Sequence, residues 1–346
     1  MTGFVCPIPA GGTEDVVQLA HGEGGRLMRD LLQDVILPPL HNELLLQGHD
    51  GCVLPPFSGP AVFTTDSYVV TPLSFPGGDI GSLAVYGTAN DLAVSGARPR
   101  WISLGLILEE GLPLSMLRQV MDSIRHSAEL AGVQVVTGDT KVVPRGAADG
   151  MFINTSGIGE LIMPCPQATR IETGDALLVT GPIARHGMAI LASREQLEVD
   201  PRPTSDTASL FPAVDALHRA GIQIHALRDC TRGGMAAVLR EWADACGRSM
   251  LLESQQIPVL PETRGLCELL GLDPLHIACE GTMAVALPAG QVAAALQVLR
   301  SVPVASGAVL VGEVIPQRLA PVVIRRALGQ LIPLDEPLGA PLPRIC

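Results

Sequence analysis

Strand-like and helix-like stretches alternate along this chain, and they do so in both of its halves. That alternation restricts it to folds in which helices stack on sheets. The pattern is clearest where "WISLGLILEE" reads as a strand and "PLSMLRQVMDSIRHSAELAG" follows as an amphipathic helix, with proline near its start and glycine at its end. "VQVVTGDT" and "MFINTSGIGEL" are two further strands. Upstream, "HGEGGRLMRDLLQDVILPPL" is a glycine turn opening a helix: Leu27, Met28, Leu31, Leu32 and Val35 recur at helical spacing, and Pro38-Pro39 ends it. "GPAVFTTDSYVV" is a strand with an acidic end, and "GDIGSLAVYGTANDLAVSGARP" is a helix of small residues closed by Gly96 and Pro99.

The second half repeats the style. "DALLVTG", "IQIHALRDC", "TMAVALP" and "AVLVGEV" read as strands; "HGMAILAS", "MAAVLREWADAC" and "GQVAAALQVLRS" read as helices. The polar, proline-bearing "LEVDPRPTSDT" interrupts them as a surface loop. The expected division is a lead-in and first helix over 1–40, an α+β domain over 41–165, a second over 166–333, and an extended, exposed tail over 334–346. A length of 346 residues suits two cores. With 47% hydrophobic residues but 3% aromatic, those cores must be built from Leu, Val, Ile and Ala.

Charge and hydropathy exclude some roles. The net charge of −12 argues against a nucleic-acid partner. No apolar run approaches the ~20 residues of a membrane span, and the start has no export-signal pattern, so the expected location is cytoplasmic. The eight cysteines form no CxxC pair and no zinc-finger spacing, so the internal ones are expected to be free and inert. Cys346 differs, because it is the last residue of "PLPRIC". Of the 23 basic residues only Lys141 is lysine, in "TGDTKVV". A sole lysine among arginines suggests a site that needs a compact ammonium rather than a planar fork.

Acidic residues recur where strands or glycine turns end: Asp50, Asp66, Asp91, Asp139 and Asp229. One such Asp is usually a turn former. Several converging on a point call for a cation, most commonly Mg²⁺ bridging phosphates. "HGEGGR", with Gly22, Gly24 and Gly25, and "TRGGM", with Thr231, Arg232 and Gly233, offer N–H groups to anions. No GK dipeptide exists, so any nucleotide site is not a Walker-type loop.

"HGEGGRLMRDLL", "TTDSYVVTPLSFPGGDIGSLAVYGTANDLAVSGA", "GDTKVV", "RDCTRGG", "CEGT" and the terminal "PRIC" together resemble the HypE family of hydrogenase-maturation carbamoyl dehydratases. Wider relatives, the aminoimidazole-ribonucleotide-synthetase and selenophosphate-synthetase superfamily, share "TTDSYVV" and "GDTKVV"; the ending Pro-Arg-Ile-Cys is what points to HypE. The resemblance implies an α+β, two-domain PurM-like fold whose N-terminal domain dimerises through a β-barrel. It implies ATP and Mg²⁺ as cofactors, a HypF-type carbamoyltransferase that loads Cys346, and a HypC–HypD scaffold complex that receives cyanide. By the same resemblance Cys346, Lys141 and Glu280 are catalytic. Gly22, Gly24, Gly25, Asp66, Asn90, Asp91, Gly138, Asp139, Thr140, Asp229, Thr231, Arg232 and Gly233 hold the nucleotide. Asp50, Asp66, Asp91 and Asp229 match metal positions.

Two rival readings stand beside this one. A selenophosphate-synthetase-like kinase would want a Cys and a lysine in the N-terminal glycine loop, whereas Cys6 lies outside that loop and no lysine is near it. A nucleotide-gated carrier would pass a group along on the tail thiol without dehydrating it.

Overall fold

The computed structural model describes residues 16–335 together with 339, 342 and 344–346. Cys6, the rest of the lead-in before residue 16, and Pro341 and Pro343 of the tail lie outside the described residues.

The first described helix, α1 (Arg26–Leu31), continues as a π-turn over Leu32–Ile36 and stops at the proline pair, so the expected single helix changes pitch half-way. Then come β1 (Ala61–Tyr68), the short hairpin β2 (Ser74–Phe75) and β3 (Gly78–Asp79), and α2 (Ile80–Val94). Next are β4 (Ala97–Glu109), α3 (Leu114–Ala131), β5 (Gln134–Val143) and β6 (Met151–Leu161). The four long strands form one sheet in the order β1-β6-β4-β5, with only β4 and β5 parallel.

The second sheet has seven strands. Along the chain come β7 (Asp175–Val179), α4 (Arg185–Arg194), α5 (Phe211–Arg219), β8 (Ala226–Asp229), α6 (Gly234–Cys246) and β9 (Ser249–Glu253). They are followed by α7 (Pro261–Leu270), β10 (Met283–Pro288), α8 (Val292–Arg300), β11 (Val309–Ile315), β12 (Val322–Arg325) and β13 (Leu331–Pro333). The order is β13-β12-β9-β11-β7-β10-β8, and β12–β9 is the parallel pair. The expected elements are present, with β2, β3, α5, α7, β9, β12 and β13 in addition.

Two features position the site. The first is α2, in which Asp91 alone escapes burial. Its small residues let it lie between the first sheet, α3 and the second domain. Asp79 caps it: its carboxylate accepts from Ser82 N–H (2.9 Å), while its own N–H donates to Ser82 Oγ (3.0 Å). The second is a one-sided first sheet. Ile102, Leu104, Leu106 and Leu108 of β4 face the helices and are buried, whereas Ile107 on the other face is 39% exposed and Phe63 of β1 is 67% exposed.

Two expectations are corrected here. "LEVDPRPTSDT" is not wholly a surface loop, because Ser205 and Asp206 are buried. The described end of the tail is docked rather than extended: Leu342 and Ile345 join a core cluster that runs from the first domain onto α4 and α7 of the second, and Cys346 packs against it half-buried. Apolar side chains and available hydrogen-bond donors hold it there. Among the described residues the cysteines are free, with Cys230, Cys267 and Cys279 buried. No described helix is long and apolar enough to cross a membrane.

Candidate active site

Two strands, a helix and one glycine turn bring four carboxylates together from distant parts of the sequence. Asp66 comes from β1, Asp91 from α2, Asp229 from the end of β8, and Glu280 from the turn before β10. Each placement has a local cause. Thr64 Oγ1, two residues before Asp66 on the same face of β1, donates to Asp91 Oδ2 at 2.9 Å and ties strand to helix. Asn90 spans both domains: its Nδ2 donates to the carbonyls of Ala208 (3.0 Å) and Glu280 (3.4 Å), and its Oδ1 accepts from Leu210 N–H (2.7 Å). Its amide thereby ties the Glu280 turn to α2.

Electrostatics show how crowded these acids are. Burial raises the Asp229 pKa from 3.8 to about 7, with Asp91 the next contributor and Arg228 opposing. Burial also raises Asp91, against the Thr64 hydrogen bond, and Asp66 adds to the rise. Glu280 is pushed well above the ordinary glutamate range by burial, then by Asp229, Asp206, Asp66 and Asp91. It is 3% exposed, and its Oε1 has no hydrogen-bond partner among the described residues. This glutamate is not a solvated cap. Its backbone is pinned by Asp206, which sequence reading missed: the Asp206 carboxylate accepts from Glu280 N–H (3.0 Å), Gly281 N–H (3.1 Å) and Thr282 Oγ1 (2.9 Å).

Cys346 arrives at this cluster. Burial drives its thiol up to about 12, and Glu280 is the leading charge acting on it, with Arg232 pulling the other way. A cavity of about 430 Å³ adjoins it, lined among others by Arg232, Gly233, Ala236, Ile277, Ile345 and Cys346. Arg232 lies 4.0 Å from Asp66, and the turn from Thr231 to Gly233 leads into the N-terminus of α6. The sequence-predicted Cys346, Glu280, Asp66, Asp91, Asp229 and Arg232 thus share one place.

The other predicted residues form a second group. Gly138, Asp139, Thr140 and Lys141 lie on β5, at the opposite edge of the first sheet from β1. Asp66, Thr155, Leu104 and Gly138 stand in one row across the sheet, so Gly138 is three strand spacings from Asp66, roughly 14 Å. Thr140 is buried on the helix face; Asp139 and Lys141 point to the open face and pair with each other (Lys141 Nζ to Asp139 Oδ2, 2.8 Å). That hydrogen bond lowers the Asp139 pKa. At Gly138 a Cβ would stand 2.4 Å from the Leu104 carbonyl oxygen, so the strands close up only around glycine. Gly22 packs on Val142, and Gly24 and Gly25 lead into α1, which places the N-terminal glycine loop here too. Asp50 also belongs to this group, since its carbonyl accepts from Thr137 Oγ1 at 3.4 Å. A cavity of about 260 Å³, with His49, Gly51, Gly138 and Asp139 in its wall, lies on this side.

Among the described residues no three or more His, Cys, Asp or Glu are already arranged to hold a metal ion. The mutual repulsion of Asp66, Asp91 and Asp229 is nevertheless what a bound cation would relieve, and an all-oxygen donor set suits a hard divalent ion.

Residues 48–161 match the N-terminal domain model of AIR synthase related proteins, and 172–324 match the C-terminal one. The chain is 45% identical over 338 residues to the carbamoyl dehydratase HypE of Rhodobacter capsulatus, covering 96% of this chain and 99% of that protein. It is likewise 45% identical over 336 residues to that of Escherichia coli K12. The chain belongs to the HypE family. A crystal structure of a HypE in complex with ATP superposes with a TM-score of 0.91 at 43% identity, over 95% of this chain and 99% of that one. A HypE from a HypE–HypF complex superposes at 0.78 and 38% identity, over 90% and 100% of the two chains. A thiamine-monophosphate kinase from Aquifex aeolicus, at 18% identity and a TM-score of 0.58, shares only the fold. The two-domain α+β architecture is therefore that of the wider family as well as of HypE.

Proposed function

We propose that the chain is an ATP-dependent dehydratase that turns a carbamoyl group on the Cys346 thiol into a thiocyanate, the source of cyanide ligands for the iron of [NiFe]-hydrogenase. The observation that carries this is the buried, unpartnered carboxyl oxygen of Glu280, whose charge is the leading one on the C-terminal thiol.

The oxygen of a thiocarboxamide is a poor leaving group. Once ATP has phosphorylated it, it departs as phosphate, and the nitrogen must lose both protons as the C≡N bond forms. The sum is thiocarboxamide plus ATP giving thiocyanate, ADP and phosphate. Glu280 is the group placed to take a nitrogen proton. The burial, and after it the neighbouring carboxylates, that raise its pKa make its carboxylate, once formed, a strong base. Asp66, Asp91 and Asp229 would hold magnesium, which supplies charge neutralisation at the phosphates. Arg232 and Gly233 line the cavity beside Cys346, and their turn adds donors for an anion.

Lys141 and its neighbours complete the site in a homodimer. β1 and β5 are the two edges of the first sheet, and its open face exposes Phe63 and Ile107. Pairing two such sheets into a barrel removes the free edges and covers the apolar side chains. It sets β5 of one copy against β1 of the other, bringing Lys141 to the second copy's carboxylates. The docked thiol is poorly reactive, so loading by a HypF-type carbamoyltransferase requires the tail to leave its seat. A dozen residues reach up to roughly 40 Å when extended. Delivery to a HypC–HypD scaffold in the cytoplasm follows.

The test is Glu280→Gln, loaded with a carbamoyl group by the transferase and given ATP. Nitrile formation should fall by at least about a hundredfold, the usual worth of a general base, with ATP still bound. An unchanged rate would remove Glu280 from that role.

A further inference from the structure

The end of the tail is seated by one helix. The Arg344 carbonyl accepts from the Arg194 guanidinium at the end of α4 and from Thr71 N–H at 3.5 Å. Leu342 lies over Gly187, where a Cβ would come within 3.2 Å of Leu342 Cδ1 and 2.5 Å of Ile277 Cγ2. The next contact is the closest to the thiol. His186, at 0% exposure, has Nε2 2.5 Å from the carbonyl oxygen of Ile345, the peptide that joins Cys346.

A carbonyl only accepts, so Nε2 must carry the hydrogen and Nδ1 must be the acceptor. Nδ1 is 2.8 Å from Ser205 Oγ, whose hydroxyl can donate to it and so fixes that tautomer. Burial holds the imidazole below its usual pKa and therefore neutral, as this arrangement requires. Ser205 Oγ is itself oriented by Thr207 N–H at 3.1 Å, and Phe75 meets the imidazole edge-on. The residue between, Asp206, is the one that pins the Glu280 turn. Three consecutive residues thus hold the latch on the thiol's peptide and the backbone of the carboxylate facing it.

We propose that His186 is a positioning residue: it latches the Ile345 carbonyl and, through Ser205 and Asp206, sets the register of the Cys346 thiol against Glu280. This rests on reading Cys346 and Glu280 as the reacting pair, yet the latch can be measured without the reaction.

The measurement is the rate at which iodoacetamide alkylates Cys346 in the full-length protein, read from the mass of the C-terminal peptide. Only thiolate reacts, and the seated thiol holds its proton, so the rate follows the unseated fraction. His186→Phe keeps a ring and removes the donor; alkylation should quicken about tenfold, the ratio for one net hydrogen bond. His186→Gln puts an amide N–H where Nε2 stood, and should return the rate to within about threefold of the original. If the Phe variant does not fold, Ser205→Ala carries the same test, because it frees the tautomer and should quicken alkylation severalfold. An unchanged rate in either variant, or a Gln variant as fast as the Phe variant, would overturn the latch however well nitrile forms. A latch that behaves as expected in a wild-type protein that makes no nitrile would count against the dehydratase reading alone.

Discussion

Asp229 offers the sharpest physical test of the acidic cluster. Its carboxyl, 5% exposed, has its pKa raised from 3.8 to about 7, first by burial and then by Asp91. A raised carboxyl pKa means the folded chain binds the proton more tightly than the unfolded one. Stability from this group is therefore fully present at low pH and is lost as pH rises from about 4 to about 7. The loss is about 1.4 kcal/mol per unit and about 4 kcal/mol in all. Asp229→Asn is neutral and nearly isosteric, so it does not suffer that loss. Urea unfolding should find the variant more stable by only about 1.6 kcal/mol at about pH 5, and by up to about 4 kcal/mol at about pH 8. Magnesium and ATP should narrow the gap at the higher pH by stabilising the wild type alone. The same difference at both pH values would refute the reasoning, because it would show that Asp229 is not held protonated by its neighbours.

Two further outcomes follow from the same geometry. Lys141→Arg should leave folding intact, since the side chain is exposed and its partner Asp139 can pair with either cation, but should slow nitrile formation at least about tenfold, because a planar fork cannot take an ammonium's place among phosphates; turnover near the wild-type rate would make the lone lysine incidental. Cys346 alkylation should keep rising with pH straight through the ordinary thiol range, without levelling near pH 9, because a thiol seated at about 12 must unseat to ionise; a plateau there would mean the tail is already free.

Much of the architecture was legible because it rests on periodicity. α3 carries its apolar stripe at helical spacing and spans Leu114–Ala131, and β4 before it alternates over most of its length as a one-sided sheet requires. α2 was legible for a different reason: only small residues allow a helix to be buried on nearly every side. Asp66, Asp91 and Asp229 were legible as acids at the ends of strands or glycine turns, whereas Glu280, and the roles of all four, came only through the family likeness. Their grouping was not, because register across a sheet decides it: Gly138 and Asp66 share a row yet stand at opposite edges. Asp206 and His186 carry no motif. Asp206 lies in a stretch whose prolines and polar residues look like any surface loop, and its burial comes from the backbone N–H groups of Glu280 and Gly281 about seventy positions later. The seat for the tail is likewise a tertiary fact, made by α4 and invisible in the proline-rich composition that suggested an extended arm.

The most direct measurement is the intact mass of the C-terminal peptide after the chain is loaded by a HypF-type transferase with carbamoyl phosphate and ATP. With ATP present the carbamoylated Cys346 peptide should lose the mass of one water and become the thiocyanate, and Cys346→Ala should yield neither adduct. A carbamoyl group that forms on Cys346 and passes onward without that loss, or a nitrile that appears in the Cys346→Ala chain, would contradict the account.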